Sequence, residues 1–358
     1  MLAVQLTEWG MHPEFRTVPD PEPTGDQLVL RVDAAGLCRS DLHVMDSSSS
    51  RFAYSLPFTL GHEVAGTVVA AGETADDSWV GQRVLVHGLW GCGTCRQCER
   101  GNQNYCHALA PSDDGLLSPI GGGLGRDGGL AEFMIVPSAD VLVPIGSLDP
   151  VAAAPLADAA LTAYHAIRTN ADVIDRHSVV VVVGVGGLGH LALQILRSFG
   201  AGRVVAIETR LDTHALAVQL GAHDCHVSFS DAHGSIAELG GADLVLDFVG
   251  APDTVDAGAE ALAPGGRLAV VGSAGGRLTV GKDLGISAGW HVTAPFWGTR
   301  DDLRAVVALA QDGILHAEVT TFPFSAALDG YRELRAGSVT GRAVIDMTAS
   351  RWREETLP

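Results

Sequence analysis

A chain of 358 residues, 47% hydrophobic and 18% charged, has the composition of a packed globular protein, and its length calls for two domains. Its 42 acidic and 23 basic side chains leave a formal net charge of −19. Such a surface repels phosphate backbones and anionic lipid, which excludes nucleic acid and membrane as expected partners.

In chain order, the start MLAVQLTEWG lacks the basic residues and apolar core of a secretory signal. No later stretch approaches the ~20 unbroken apolar residues of a membrane span. The expectation is a cytoplasmic protein in a reducing compartment. Residues 1–155 are rich in short β-type segments, glycine and turns, the pattern of a small barrel-like β fold. Two segments there carry ligand-type side chains: GLCRSDLH with Cys38, Ser40, Asp41 and His43, and TLGHEVAGTVVAAGETA with His62 and Glu63. Taken singly, such a cysteine is commonly a small core hydrophobe, and such a histidine a hydrogen-bonded side chain.

Next comes GCGTCRQCERGNQNYC, which holds four of the six cysteines: Cys92, Cys95, Cys98 and Cys106, spaced C-x2-C-x2-C-x7-C. Two-residue gaps let successive thiolates turn toward one point, and Gly91, Gly93 and Gly101 supply the bends. Four thiolates around one ion make the closed tetrahedral site of structural zinc. A pair of disulfides fits a reducing compartment poorly, and the bacterial iron–sulfur spacing differs in its last gap. A zinc-loop module for nucleic acid would want a basic surface, which this acidic chain does not offer.

The segment SVVVVVGVGGLGHLALQILRSFGAGRVVAIE reads as strand, glycine turn, helix and second strand. Val179 to Val183 form a β-branched run suited to a parallel strand buried on both faces. Gly184, Gly186 and Gly189 give G-x-G-x-x-G, with Gly187 and Leu188 inside the turn. That motif admits a pyrophosphate to the helix N-terminus. Glu208 ends the second strand, where a carboxylate binds ribose hydroxyls and repels a 2′-phosphate, so NAD is favoured over NADP. Arg210 lies close enough to receive a phosphate instead. ADLVLDFVGA and GGRLAVVGSAGG continue the α/β alternation.

From Gly61 to Ala75 the sequence fits G-H-E-x2-G-x5-[GA]-x2-[IVSAC]. With Cys38 in a C-x-S-D segment before it and the cysteine loop after it, the whole chain resembles the zinc-dependent medium-chain alcohol dehydrogenases. The resemblance implies an α/β protein with a GroES-like β-barrel catalytic domain (1–155 and 295–358) and a doubly wound Rossmann domain (156–294). It implies two zinc ions, one structural in the cysteine loop and one catalytic on Cys38 and His62. In VAAAPLADAALTAYHA the third catalytic ligand aligns with Asp158, an aspartate where the liver-type enzymes carry cysteine, as in the bacterial secondary alcohol dehydrogenases. A carboxylate is a competent zinc ligand, and a helix cap is the plainer role for it. Glu63 is an alternate ligand or a group that supports the ligands from behind, and Asp41 a partner for the free ring nitrogen of His62.

By the same resemblance Ser40 and His43 relay the substrate proton, Arg39 and Arg342 contact the cofactor pyrophosphate, and Thr162 lies beside the nicotinamide. Tyr54 and Trp297 wall the substrate pocket; two packing aromatics is the alternative. The implied reaction is reversible hydride transfer between secondary, and some primary, alcohols and NAD, giving ketones or aldehydes, with aryl-alkyl ketones among the substrates. A homodimer or homotetramer is implied. A polyol or aldehyde dehydrogenase of the same family and a non-catalytic NAD-binding or zinc-loop interaction protein are the competing readings. Cys225 has no evident partner in the sequence and reads as structural.

Overall fold

The computed structural model describes residues 1–279 and 289–348. The chain forms two compact units: one holds Met1–Asp158, Thr299–Asp312 and the chain from Ala317, the other Ala159–Gly298 and Gly313–His316. No helix among the described residues is long and apolar enough to cross a membrane.

The first unit is built on the strand Leu28–Leu37, ten residues of which only Arg31 is exposed. It runs antiparallel to Glu63–Ala71 along one edge. Its other edge is shared, Leu28–Arg31 pairing with Phe133–Val136 and Ala34–Leu37 with Arg342–Asp346. Arg83–Val86 and Leu142–Pro144 extend the sheet beyond Glu63–Ala71, and Val319–Pro323 extends it beyond Arg342–Asp346. A strand whose two halves have different partners curls the sheet in the way a barrel requires.

One register detail shapes the site. Gly36 faces Glu63 across the ladder, and a Cβ at Gly36 would lie 2.0 Å from Glu63 Oε2. The missing side chain makes the space that the carboxylate occupies.

The second unit contains a six-stranded parallel sheet in the order Asp224–His226, Arg203–Ile207, Val179–Val183, Ala242–Asp247, Leu262–Val270, His291–Thr293. Winding starts at Val179–Val183 and proceeds outward in both directions, which puts the reversal between that strand and Ala242–Asp247. All five valines of the first strand are buried. Val181 and Val183 pack into one core with Val205, Ile207, Ile236, Val245 and Leu268. Helices Gly189–Ser198, His214–Leu220, Phe229–Glu238 and Pro252–Glu260 connect the strands.

In the first unit Phe324 is fully buried, its ring edge-on to Phe15 with centroids 5.4 Å apart. Phe324→Ala should cost about 3–5 kcal/mol, because the lost transfer and cavity terms add. Urea unfolding checks this: the midpoint should fall with an unchanged m-value.

Candidate active site

Three chain segments deliver the candidate metal donors of the first unit. Cys38 follows the strand Leu28–Leu37 and is the N-cap of the short helix Arg39–Met45. His62 precedes the strand Glu63–Ala71, and Asp158 follows the turn Ala154–Ala157. Asp158 Oδ2 lies 3.6 Å from Cys38 Sγ and 3.6 Å from His62 Nε2. A tetrahedral ion with bonds of ~2.0–2.3 Å holds its ligands about 3.3–3.7 Å apart, so these separations match the edges of such a site. One ligand atom from each of Cys38, His62, Glu63 and Asp158 falls within 4.8 Å of all the others, and all four residues are buried. Thiol, imidazole and carboxylate are the donors zinc takes.

The groups around this cluster fix it. Asp41 Oδ1 meets His62 Nδ1 at 3.0 Å, which leaves Nε2 toward the other donors. Burial alone would lower the His62 pKa, but the Asp41 charge and hydrogen bonds to Asp158, Asp41 and Cys38 raise it well above its ordinary value. Between these acids the pocket therefore favours positive charge, as a cation site must. Glu63 is fully buried, and desolvation pushes its carboxyl up to about 7 against the pull of Arg342. Arg342 donates to Glu63 Oε1, while Glu63 Oε2 has no hydrogen-bond partner.

The cysteine loop forms a second donor cluster, with the sulfurs of Cys92, Cys95, Cys98 and Cys106 all within 4.8 Å of one another. Cys95 and Cys106 are 3.9 Å apart, near the ~3.8 Å edge of a zinc tetrathiolate and far beyond a disulfide bond. Backbone amides of His107 and Cys98 lower the Cys95 thiol to about 6, and burial pushes Cys98 up to about 12. Gly93 and Gly101 take positive φ, 75° and 78°, at the bends.

In the second unit the glycine turn follows the strand Val179–Val183 directly. Gly184 takes φ 82°, and a Cβ at Gly189 would lie 1.9 Å from the Gly184 carbonyl oxygen. A Cβ at Gly186 would meet nothing within 4 Å, which leaves the open approach a pyrophosphate needs. Gly187 and Leu188 lead into the helix Gly189–Ser198. Glu208 Oε2 accepts from the Val185 amide at 2.9 Å, and Arg210 pairs with the same carboxylate at 3.3 Å. Burial works to raise the Glu208 pKa; the Arg210 amide and guanidinium and the Val185 amide outweigh it and lower it.

Residues 24–147 match the alcohol dehydrogenase GroES-like domain, and residues 187–312 match the zinc-binding dehydrogenase family. The chain is 34% identical to the D-arabinose 1-dehydrogenase (NADP(+)) of Saccharolobus solfataricus over 334 residues, 91% of each chain. The chain belongs to the zinc-dependent medium-chain alcohol dehydrogenase family. An NAD-dependent alcohol dehydrogenase of Sulfolobus acidocaldarius is 30% identical, with 97% of this chain and 100% of that one covered. The alcohol dehydrogenase structure of Aeropyrum pernix matches with a TM-score of 0.86 at 31% identity, covering 97% of this chain and 100% of that one. An acetophenone reductase of Geotrichum candidum in complex with NAD matches at 0.84 and 29% identity, with 97% of each chain covered.

In this zinc-dependent dehydrogenase the remaining candidate residues fall in different places. Ser40 Oγ is 3.6 Å from Cys38 Sγ. His43 is exposed on the same short helix, and Arg39 is exposed at its start. Arg342 is 5% exposed and paired with Glu63, whose buried carboxylate is costly to leave unpaired. Tyr54 joins an aromatic cluster in the first unit, where burial raises its hydroxyl to about 12. Its ring lies 4.6 Å from Phe52 and 6.3 Å from Trp9, and Trp9 stacks on Phe52 at 5.8 Å. The sequence reading missed Trp9 and Phe52, since no local motif ties residue 9 to residue 52. Thr162 and Trp297 are buried in the second unit, Trp297 with φ 52°.

Gly189→Ala drives a methyl into the Gly184 carbonyl. Overpacking of ~1–3 kcal/mol should appear as a lower Tm and as weaker NADH binding in a fluorescence titration.

Proposed function

We propose that this chain is an NAD-dependent zinc alcohol dehydrogenase that interconverts secondary, and some primary, alcohols with ketones and aldehydes. The observation that carries the reading is the meeting of Cys38, His62 and Asp158 at tetrahedral edge distances in a chain of this family. Zinc, when bound, supplies the Lewis acidity that eases loss of the hydroxyl proton, and the nicotinamide accepts the hydride.

The chain's own groups do the rest. Ser40 and His43 stand three residues apart on the helix Arg39–Met45, so they share a face, and Ser40 Oγ takes the substrate proton on toward the imidazole. Partial enclosure of the ring, then the charges of Arg39 and Arg51, lower the His43 pKa against the opposing charge of Asp46, although the side chain as a whole is exposed. His43 is therefore neutral at pH 7, ready to accept a proton and release it to solvent. Glu208 holds the adenosine ribose, and its charge opposes a 2′-phosphate. Arg39 and Arg342 are proposed to meet the pyrophosphate and Thr162 the nicotinamide, on family resemblance. Tyr54, with Phe52 and Trp9, offers an apolar aromatic wall suited to an alkyl or aryl ketone. Trp297 is proposed as a second wall.

The division into a catalytic domain (1–155 and 295–358) and an NAD-binding domain (156–294) belongs to the same reading. A homodimer or homotetramer is favoured by the strand His291–Thr293, which ends its sheet with all three residues exposed and, among the described residues, with no strand on its outer edge. A cytoplasmic setting suits the six cysteines, none of which is in a disulfide.

The test is cofactor reduction from 1-phenylethanol, 2-propanol, ethanol and D-arabinose, with NAD and with NADP, before and after treatment with a zinc chelator. NAD reduction should be fastest with the two secondary alcohols and abolished by the chelator. A higher kcat/KM for ethanol or D-arabinose would overturn the substrate assignment, and chelator-resistant turnover the role of zinc.

A further inference from the structure

Asp41, one of the most deeply enclosed acids in the first unit, has three donors on its carboxylate. His62 Nδ1 meets Oδ1 at 3.0 Å, while the Cys38 amide and the Tyr331 hydroxyl both donate to Oδ2, at 3.0 and 3.1 Å. The first two belong to residues in the metal cluster itself. The third comes from 290 positions away, on the helix Ala327–Ala336.

We propose that Tyr331 is a positioning residue for the zinc site, acting through Asp41 to hold the His62 imidazole in the orientation that binds metal. The inference rests on the reading of Cys38, His62 and Asp158 as zinc ligands.

The geometry gives the reason. A carboxylate held by two donors, one on each oxygen, can still rock about the axis through them. A third donor from a separate element removes that freedom and with it the swing of the imidazole. Tyr331 is 4% exposed, and a buried phenol hydroxyl needs a partner. Burial first, then the Asp41 charge, raise the Tyr331 pKa well above its ordinary value, so the hydroxyl stays protonated as the donor. Packing alone does not account for the choice of residue. The ring borders a cavity of about 230 Å³ with Leu42, Met45 and Leu328, and phenylalanine would fill the same space.

The experiment follows zinc release from the full-length holoprotein to a chromogenic chelator, together with the absorption spectrum of the cobalt-substituted protein. Tyr331→Phe removes one oxygen and keeps the ring. Leu328→Ala loosens the same cavity without touching Asp41, and serves as the packing control. Wild type should hold two zinc ions per chain. Tyr331→Phe should release one of them about tenfold faster, the lower end of the range for partners of a metal ligand, and should shift the cobalt bands. Leu328→Ala should lower Tm and leave release and spectrum unchanged.

Unchanged release and spectrum in Tyr331→Phe would overturn the proposal. So would equal acceleration in Leu328→Ala, which would make the effect one of packing. A wild-type protein holding only the zinc of the cysteine loop would instead remove the metal reading on which the proposal stands.

Discussion

The first unit is organised around the cost of burying charge. Cys38, His62, Glu63 and Asp158 lie together out of water, with Asp41 behind them. Ionised groups in such a place are tolerated only when paired, hydrogen-bonded or bound to metal. Each neighbouring element meets part of that demand. Strand Arg342–Asp346 begins with the guanidinium that Glu63 requires, helix Arg39–Met45 begins where Asp41 caps the Cys38 amide, and helix Ala327–Ala336 brings the Tyr331 hydroxyl. Zinc, when bound, would supply positive charge among these buried donors, taking the neutral form of the imidazole.

The second unit solves a different problem. A parallel sheet whose central strand is buried on both faces has its loops at the strand ends, and the reversal of winding leaves a crevice beside Val179–Val183. There the glycine turn does three jobs with three residues: Gly184 makes the bend, Gly186 leaves open space, and Gly189 lets the helix start against the turn. Glu208 is anchored by the Val185 amide of that turn, so the acid ending the second strand and the glycine turn are one hydrogen-bonded piece.

How far the sequence carried depends on distance along the chain. The four loop cysteines span fifteen positions, and their spacing already held the tetrahedral geometry. The glycine turn and the acid that follows it were legible for the same reason, being one βαβ unit. Asp158 is different: nothing in its own segment distinguished a metal donor from a helix cap, and only resemblance singled it out. The Gly36–Glu63 fit, the Glu63–Arg342 pair and the Tyr331–Asp41 bond depend on strand register and helix packing between residues 27 to 290 apart. Periodicity and spacing hold no record of such pairings. The aromatic cluster of Trp9, Phe52 and Tyr54 was invisible on the same ground.

Diffraction at the zinc absorption edge, from crystals of the protein purified without chelator, tests the central claim most directly. Two anomalous peaks per chain are predicted, one inside the cysteine loop and one ~2.0–2.3 Å from Cys38 Sγ, His62 Nε2 and a carboxylate oxygen of Asp158. A peak at the loop alone, with Cys38 and His62 turned away from each other, would contradict it.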